Sequence, residues 1–537
     1  MKPILSTEEV RRLEDLIEKD GTSKAELMEL AGEFAASVVE KHEPKHVLVL
    51  TGFGNNGGDG WVAADILQHK GISVDVVTPI EPDEIKSPIA RHVARRTAGR
   101  DVTVFVGPSR DELSDLIDKA DIVLDAILGT GFSGEVRPPF SIWIPVLNES
   151  ARPVISIDVP SGLDSETGVA AEACVHADET ATMLAPKIGL YSADGPEYTG
   201  ELVCGELYSK LDEVIDDVEH AADIVESADL LECISELPSN IDKYSRGSVL
   251  VVGGSLRYPG AAIMAAKAAA RAGAGYVAVA APDASANLIR LALPSVPVIA
   301  IPSDTRGSFG AAARHAVCEE ARRFDCVLCG PGMTTAAGGM QVVTGLLELD
   351  VPLILDADAL NCMSRLSIDG IDKTPELYRR DAPLIFTPHY RELSRLMGGV
   401  EVHDLGTAID AAQQILWACG SDNMVIAAKG ATTAVVGVQR VLIPTSGPAA
   451  LATAGSGDVL AGIIAANVAT SHGEVDSWEL LVSYAVTVHS YTGYAAASVM
   501  GPKSVIATDL IDCIGDALQL VENEALKDSG VDLDEAN

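Results

Sequence analysis

Residues Gly52–Gly60, with the sequence GFGNNGGDG, could bind a ligand that contains phosphate. They follow the apolar run HVLVLT and precede the helix-like segment WVAADILQHK. Glycines let backbone amides approach a phosphate closely at a helix N-terminus, where the helix dipole favours anions. Two Asn and one Asp add side-chain ligands that a plain tight turn would not need. The spacing differs from GxGxxG followed by a distant acidic residue, so an ordinary dinucleotide fingerprint is not indicated.

Two carboxylates lie where apolar runs end. Asp125 belongs to LDAILGTGFSGE and Asp158 to ISIDVPSGLDSETG. Ligands of open parallel sheets bind at the carboxyl ends of the strands, so these carboxylates could transfer protons or bind a cation. A lone Asp at a strand end is often only a turn cap. Together with Asp59 there are three such positions, each beside a Gly- or Ser-rich turn, which weakens that alternative.

The segment TAGSGD, residues 453–458, could carry out phosphoryl transfer. It runs directly into the helix-like VLAGIIAANVAT, so the amides of Gly455, Ser456 and Gly457 would form an anion hole at a helix N-terminus. Asp458 lies at the same point and could take the proton of a hydroxyl group that receives the phosphoryl group. The alternative is a Gly-rich helix cap with an Asp in its first turn.

A single histidine, His389, follows the apolar run APLIFTP. A histidine in such a place is more often a structural hydrogen-bonding group than a catalyst. Its position between Pro388 and Glu392, at a strand end, favours a functional role.

The elements that must position these residues alternate short β-branched runs with helix-like segments from Lys45 onward. The runs at 46–52 and 73–78, and those that start near 120 and 153, are apolar on both faces, which is typical of a parallel sheet covered by helices on both sides. The sequence therefore predicts an α/β fold whose Gly-rich strand ends carry the ligands.

An acidic stretch between Asp212 and Asp242 separates two halves that do not repeat each other's motifs. It contains eleven Asp or Glu and no Lys or Arg, which is typical of a solvated amphipathic helix or hinge. The alternation restarts at 248–255, followed by a long Ala-rich helix from Ala261 to Ala272. The predicted organisation is a domain at 1–212, a linker at 213–242, a second domain at 243–521 and a fraying acidic tail at 522–537.

The charge of the chain excludes several classes of function. The 78 Asp and Glu against 39 Lys and Arg give a formal net charge of −39. This charge repels nucleic-acid backbones and disfavours anionic membrane surfaces. The excess predicts a cytoplasm adapted to high salt, where self-repulsion is screened. An acidic interaction surface is the alternative explanation.

Nine scattered cysteines, usually next to apolar residues, predict reduced thiols instead of a disulfide framework. The start, MKPILSTEEVRRLEDL, lacks the apolar core of a signal peptide, and Ser6 with Glu9 indicates a capping box that opens a helix. No stretch reaches about 18 predominantly apolar residues. We therefore expect a soluble cytoplasmic protein.

The first half resembles the NAD(P)HX epimerase domain, a Rossmann-like domain that interconverts the two C6 epimers of hydrated nicotinamide cofactors. The resemblance covers residues 1–212 and rests on GFGNNGGDG, DAILGTGFSGE and IDVPSGLDSETG in this order. It implies contacts between the hydrated dinucleotide and Asn55, Asn56, Gly57, Gly58, Asp59, Gly129, Thr130, Gly131, Phe132, Ser133, Gly134, Glu135 and Asp158.

The same resemblance implies that Asn56, Asp125 and Ser161 hold a potassium ion. Amide, carboxylate and hydroxyl oxygens are hard ligands, which suit an alkali cation better than zinc. Asp158 is the expected catalytic group for proton transfer. Lys187, in LAPKIGL, is a candidate for setting the charge of Asp158, although a surface lysine would be equally consistent with the sequence.

The second half is similar to the ribokinase-like fold in AGSGDVLAG, in KGATT at 429–433 and in GPG at 330–332. With YPGAA, LDADALN and TPHYRE it resembles the ADP-dependent NAD(P)HX dehydratases. The resemblance implies that Asp458 is catalytic and that the hydrated cofactor contacts Ala261, Gly332, His389 and Asp458. It implies that the adenine nucleotide, accompanied by Mg²⁺, contacts Lys429, Gly430, Ala431, Thr432, Thr433 and Gly457.

The two resemblances together predict a bifunctional NAD(P)H-hydrate repair enzyme built from two three-layer α/β domains. Its expected substrates are NADHX, NADPHX and ADP, and we expect a homo-oligomer. The residues alone do not decide between ADP and ATP or between NADHX and NADPHX. The alternative is a ribokinase-like kinase of a small molecule, with an N-terminal ligand-binding module.

Overall fold

The computed structural model describes residues 1–234, 237, 242, 243, 245–368, 380–473 and 475–529. The chain divides into an N-terminal unit, Pro3–Ala222, and a C-terminal unit, Met1–Lys2 with Asp223–Asn537. Both units are built on mainly parallel sheets with helices, so the predicted α/β class is confirmed. The division falls inside the predicted linker at 213–242.

The chain begins with a short strand, β1 (Lys2–Ile4). The parallel sheet of the N-terminal unit has the order β4-β3-β2-β5-β6-β7-β8. Its strands are β2 (His46–Thr51), β3 (Ser73–Thr78), β4 (Thr103–Val106), β5 (Ile122–Ala126), β6 (Val154–Ile157), β7 (Glu179–Met183) and β8 (Glu201–Gly205).

Helices connect these strands. The first one begins after Ser6, whose hydroxyl oxygen accepts a hydrogen bond from the Glu9 amide at 3.1 Å, so the predicted helix start is confirmed. The α-helices of this unit are Thr7–Lys19, Lys24–Glu40, Asn55–His69, Pro88–Ala98, Arg110–Lys119, Phe140–Asn148, Gly195–Tyr198 and Leu211–Val214. Short 3-10 helices are Pro82–Glu84, Ile188–Leu190 and Ile215–Asp217.

The strands of the N-terminal sheet are buried on both faces. Val47 and Val49 of β2 belong to one apolar cluster, whereas Leu48 and Leu50 belong to another. Because successive side chains of a strand point to opposite faces, the two clusters are the two sides of the sheet. The unit is therefore a three-layer sandwich, as the runs of apolar residues predict.

The larger sheet has the order β1-β9-β18-β17-β16-β15-β14-β13-β10-β11-β12. Its strands after β1 are β9 (Ala222–Ile224), β10 (Ser248–Val252), β11 (Tyr276–Pro282), β12 (Val298–Ile301), β13 (Cys326–Cys329), β14 (Leu353–Leu355), β15 (Leu384–Phe386), β16 (Met424–Ala428), β17 (Ala434–Val436) and β18 (Val441–Ile443). Strands β10 to β16 pair in parallel, and β17 pairs antiparallel with both β16 and β18.

The Ala-rich helix predicted at Ala261–Ala272 runs over Pro259–Arg271, with Pro259 at its first position. The other α-helices described in this unit are Asp283–Ala292, Ala313–Ala321, Ala337–Leu347, Asp358–Ile368, Tyr390–Leu396, Leu405–Cys419, Ser456–Thr470, Trp478–Met500 and Ala507–Asp528. Two 3-10 helices are Ser227–Cys233 and Ala449–Leu451.

Part of the predicted linker belongs to the C-terminal unit instead of lying free in solvent. Residues 222–224 form β9, which pairs with β18. Val225 and Leu230 are buried in the main core of this unit, which explains why the stretch is held against the sheet despite its acidic residues. The first residues of the predicted fraying tail, 522–528, continue the last helix, with Ala525 buried. Residues 530–537 lie outside the described residues.

All nine cysteines are free thiols. Within the described part of the chain, no helix combines the length and the apolar character that crossing a membrane requires.

Candidate active sites

The Gly-rich loop of the N-terminal unit joins β2 to the helix Asn55–His69. A Cβ atom added to Gly57 would lie 2.5 Å from the Gly52 carbonyl oxygen, so only glycine allows this tight turn. The turn places Asn55 and Asn56 in the first turn of the helix and Asp59 at the start of its second turn, near the carboxyl end of β2. This is the placement that the sequence predicts.

A cavity of about 120 Å³ lies at this edge of the sheet. It brings together four of the predicted substrate-binding residues, Asn55, Asp59, Thr130 and Asp158. Gly129 lies beside Asn56, because a Cβ atom added to Gly129 would lie 3.2 Å from the Asn56 side chain. Other predicted contacts do not line the cavity: Gly57 and Gly58 are buried in the helix, Phe132 is half-buried, and Gly131, Ser133, Gly134 and Glu135 are exposed in the loop after β5.

Asp158 follows β6 and has a left-handed backbone, with φ of 67°. Such a conformation costs of order 1–3 kcal/mol in a residue other than glycine, and it is often found at functional sites. The Asp158 carboxylate accepts hydrogen bonds from Lys187 Nζ and, at 3.3 Å, from Thr182 Oγ1. Lys187 is only 1% exposed, so it is not a surface lysine. This ion pair supports the role of Lys187 in setting the charge of Asp158.

Glu14, on the helix Thr7–Lys19, lines the same cavity and is missing from the sequence-based site. Burial raises the pKa of Glu14, and the negative charge of Asp158 adds to this effect. Burial also raises the pKa of Asp59 well above its usual value, reinforced by Asp158 and Glu14. The cavity therefore combines one ion-paired carboxylate with two carboxyl groups whose pKa is raised.

The three residues predicted to hold potassium are linked through the loop after β5. Asn56 Nδ2 donates a hydrogen bond to the Leu128 carbonyl oxygen at 3.0 Å, and Ser161 Oγ lies 3.2 Å from the same oxygen. Ser161 Oγ also donates to the buried Asp125 carboxylate at 2.6 Å. Asn56 Oδ1 is buried without a hydrogen-bond partner among the described residues. An orphaned acceptor beside a buried carboxylate is chemistry that fits an alkali cation.

In the C-terminal unit, the TAGSGD segment forms the start of the helix Ser456–Thr470. Gly455 precedes the helix with φ of 95°. A Cβ atom added to Gly457 would lie 3.3 Å from Lys429 Nζ, so the lysine ammonium group lies beside the first helical turn. A helix N-terminus next to a lysine is well suited to bind phosphate.

Asp458 lies in the same helical turn. Burial raises the pKa of Asp458 to about 7, with a further contribution from Asp356 that the positive charge of Lys429 opposes. A general base works best when its pKa is close to the operating pH. Asp458 can therefore take a proton from a hydroxyl group near neutral pH.

A cavity of about 780 Å³ adjoins this helix N-terminus. The residues of the prediction that line it are His389, Lys429, Gly430, Ala431, Thr433 and Gly457. Thr432 is buried, with its hydroxyl oxygen 3.5 Å from that of Ser446 in the cavity wall. Ala261 and Gly332 are neighbours, because a Cβ atom added to Gly332 would lie 3.1 Å from the Ala261 Cβ atom. Neither residue lines this cavity.

His389 has a structural contact as well as a place in the cavity wall. Its Nδ1 accepts a hydrogen bond from the Glu392 amide at 3.2 Å, and the Glu392 carboxylate accepts one from the His389 amide at 3.0 Å. The histidine thus caps the helix Tyr390–Leu396. Burial lowers the pKa of His389, and the charge of Lys429 adds to this effect. The ring is therefore neutral at neutral pH.

Two further residues near the Asp458 helix were not predicted as site residues. Asp356, directly after β14, accepts hydrogen bonds from Lys429 Nζ at 2.9 Å and from Thr387 Oγ1 at 2.7 Å. His489 lies 3.1 Å from Ser456 Oγ, and burial lowers the pKa of His489 to about 4. Asp356 belongs to the LDADALN motif and could have been singled out, whereas no local pattern marks His489.

Both units thus have the sites of an enzyme. The N-terminal cavity is lined by carboxyl groups, whereas the C-terminal cavity has no Asp or Glu in its described lining and is bordered by Gly457, the neighbour of Asp458. A family model described as NAD(P)H-hydrate dehydratase matches residues 249–515, and one described as YjeF-related protein N-terminus matches residues 24–189. The bifunctional NAD(P)H-hydrate repair enzyme Nnr of Salinibacter ruber is 34% identical over 532 residues, covering 93% of this chain and 92% of the relative. That of Coxiella burnetii is 31% identical over 520 residues, covering 95% and 98%.

The chain belongs to the family of bifunctional NAD(P)H-hydrate repair enzymes. The family predicted from the motifs is therefore confirmed. Among solved structures, an ADP/ATP-dependent NAD(P)H-hydrate dehydratase from Bacillus subtilis, co-crystallized with ATP and Mg²⁺, is 24% identical with a TM-score of 0.46. The match covers 55% of this chain and 98% of that chain.

Proposed function

We propose that this protein repairs hydrated NADH and NADPH in two steps. The N-terminal unit interconverts the R and S epimers at C6, and the C-terminal unit dehydrates the S epimer at the expense of ADP. The observation that carries the proposal is the placement of Lys429 beside the first turn of the helix Ser456–Thr470, where its charge acts on that of Asp458, next to a cavity of about 780 Å³. Family membership supports the same conclusion.

In the dehydration step, Asp458 takes the proton of the C6 hydroxyl group as its oxygen attacks the terminal phosphorus of ADP. The bond to AMP breaks, and Lys429 with the amides of the first helical turn neutralises the charge on the transferred group. The C6–O bond then breaks, releasing phosphate, and loss of a proton from C5 restores the C5–C6 double bond. Ala261, Gly332 and His389 would contact the hydrated cofactor.

Mg²⁺ would accompany the nucleotide in this proposal. No group of three or more His, Cys, Asp or Glu arranged to hold a metal occurs among the described residues. Mg²⁺ in nucleotide enzymes is commonly bound by one or two carboxylates, water and the phosphates themselves, so no such cage is needed. Asp356, which accepts a hydrogen bond from Lys429 Nζ, is a carboxylate that could contribute. The ion would supply charge neutralisation at the phosphates.

The test is the stoichiometry of the reaction with the purified S epimer of NADHX. We expect one AMP and one phosphate per NADH restored, with ADP as a better donor than ATP. A kinase of small alcohols would instead accumulate a phosphorylated product without loss of water. That outcome would favour the alternative of a ribokinase-like kinase with an N-terminal binding module.

The epimerase step is proposed to require K⁺ bound by Asn56, Asp125 and Ser161. We expect Ser161→Ala to raise the K⁺ concentration for half-maximal epimerisation by roughly 10- to 100-fold, a typical effect of disturbing a metal site. The measurement is the rate of R-to-S conversion as K⁺ replaces N-methylglucamine at constant ionic strength. Equal rates without K⁺ would contradict the proposal. Recovery of the Ser161→Ala rate at high K⁺ serves as the control for folding, because dehydration of the S epimer reports on the C-terminal unit alone.

The net charge of −39 is proposed to reflect life in a salty cytoplasm. Salt shortens the screening length from about 10 Å at 0.1 M to about 3 Å at 1 M, which relieves self-repulsion. We therefore expect the melting temperature to rise as NaCl is increased to about 1 M. A melting temperature that is highest at low salt would favour the acidic interaction surface.

Light scattering in the same buffers tests the proposed homo-oligomer.

A further inference from the structure

The helix Thr7–Lys19 places one carboxyl group on its buried face. Val10, Leu13 and Ile17 of this helix are buried. Glu14 lies four residues after Val10 and three before Ile17, and such residues share one face of a helix. Glu14 is half-buried, so its carboxyl group loses part of its contact with water, which is costly without a polar partner.

Glu14 has a place in the candidate epimerase cavity but no polar partner. It lines the cavity together with Asp59, Asp158 and Lys187. Among the described residues, no hydrogen bond or ion pair reaches its carboxylate, whereas Asp158 is paired with the buried Lys187. The cavity wall thus holds a free carboxyl group from the first helix and an ion-paired carboxylate from the end of β6.

Inversion at C6 needs two proton transfers. In the hydrated cofactor, C6 carries a hydroxyl group and is bonded to N1. A carboxylic acid can protonate the hydroxyl group while the N1 lone pair forms a double bond to C6 and water leaves. A carboxylate can then take a proton from the water that adds to the other face of C6, as N1 recovers its lone pair. No oxidant or reductant is needed, and one water leaves for each that adds.

We propose that Glu14 is a second catalytic acid–base of the epimerase, acting on one face of C6 while Asp158 acts on the other. This inference rests on the proposed function of the N-terminal unit. Glu14 donates a proton to the departing hydroxyl group, and Asp158, which is ion-paired with Lys187, accepts the proton of the incoming water. In the reverse reaction the two groups exchange roles.

The charges around Glu14 support this division of roles. Burial is the largest effect that raises the pKa of Glu14, and the negative charges of Asp158 and Asp15 raise it further. The positive charges of Lys187 and Lys24 lower it. Asp59 also acts electrostatically with Glu14 across the cavity. Because the proposed mechanism uses one carboxylic acid and one carboxylate, it predicts a bell-shaped pH dependence of the epimerisation rate.

The test follows R-to-S conversion by chromatography on the full chain, without nucleotide so that dehydration is idle. We expect Glu14→Gln to lower kcat by roughly 10²- to 10⁴-fold with little change in KM. The wild-type rate should fall at high pH as Glu14 loses its proton, and this fall should be absent from the residual activity of Glu14→Gln. Glu14→Asp should recover part of the rate. Glu8→Gln, an exposed glutamate on the same helix, is the matched control.

Several results would overturn the inference. Glu14→Gln with wild-type kcat would do so, as would a loss confined to KM with an unchanged pH profile. If Asp59→Asn alone removed the fall at high pH, Asp59 would be the acid instead. ADP-dependent dehydration of the S epimer by Glu14→Gln shows only that the C-terminal unit is folded, so a melting temperature like that of the wild type is the evidence that the N-terminal unit is folded. A wild-type protein that does not interconvert the epimers would contradict the proposed function itself, which is a separate outcome.

Discussion

Asp458→Asn is expected to lower the rate of NADH recovery from the S epimer by roughly 10²- to 10⁴-fold, the usual effect of losing a general base. An amide cannot take the proton of the C6 hydroxyl group, so the oxygen that must attack ADP stays a poor nucleophile. The substitution keeps the size of the side chain in the first turn of the helix Ser456–Thr470, where the amides and Lys429 still bind phosphate. We therefore expect ADP binding to persist.

The measurement is the initial rate of NADH absorbance with saturating ADP, together with the thermal shift caused by ADP. Asp422→Asn is the matched control, because Asp422 is exposed in the segment that precedes β16, at the opposite end of that strand from Lys429. The control should keep the wild-type rate. Wild-type dehydration by Asp458→Asn would exclude Asp458 as the base.

The pH dependence of dehydration follows from the same group. The pKa of Asp458 is raised to about 7, chiefly by burial. A base must be deprotonated to act, so kcat/KM should fall as the pH drops through about 7 and level off above it. An activity that stays constant down to pH values near the ordinary range of Asp, about 4, would contradict this assignment.

The second large effect is expected for Asp158→Ala, which should abolish R-to-S conversion while the S epimer is still dehydrated. Asp158 is the carboxylate that Lys187 holds in the cavity at the end of β6. Removing it leaves the buried Lys187 without its charged partner, so Asp158→Asn is needed as a second variant that keeps a hydrogen-bond acceptor. Asp115→Asn, on an exposed face of the helix Arg110–Lys119, is the control.

Loss of conversion in both Asp158 variants, with normal dehydration of the S epimer, assigns the epimerase to the N-terminal unit. Normal conversion in both variants would mean that Asp158 is not the proton-transfer group. A pure binding module has no base to lose.

The parts of the site that follow strands could be predicted from the sequence. Asp125, Asp158 and the loop at Gly52–Gly60 come directly after β-branched runs, and parallel pairing brings the carboxyl ends of β2, β5 and β6 to one edge. The start of the helix at Ser456 could also be predicted, because the Gly-rich segment TAGSGD leads directly into a long apolar run. Local sequence carries this information by itself.

The residues that the sequence did not reveal act through distant contacts. Glu14 lies among other charged residues in RRLEDLIEKD, so nothing local distinguishes it from a solvated glutamate. His489 lies in the middle of an apolar helix and reaches Ser456, which is far away in sequence. Strand β7, with the sequence ETATM, has too few β-branched apolar residues to stand out, although it is fully buried between β6 and β8.

Other differences have the same origin. The acidic stretch around β9 is polar enough to predict a linker, yet Val225 and Leu230 are sufficient to hold it in the core of the C-terminal unit. The cap that His389 provides to the helix Tyr390–Leu396 is a local feature that the spacing to Glu392 could have indicated. Burial of a few side chains therefore outweighs the average composition of a segment.

The most direct test of the two-step account starts from a mixture of the R and S epimers of NADHX with Mg²⁺, K⁺ and ADP, corrected for the change without protein. The account predicts complete recovery of NADH by the wild-type chain, recovery of only the S share by Asp158→Ala, and essentially none by Asp458→Asn. No recovery by the wild-type chain with either ADP or ATP would contradict the repair function and direct the search to small alcohols as phosphoryl acceptors.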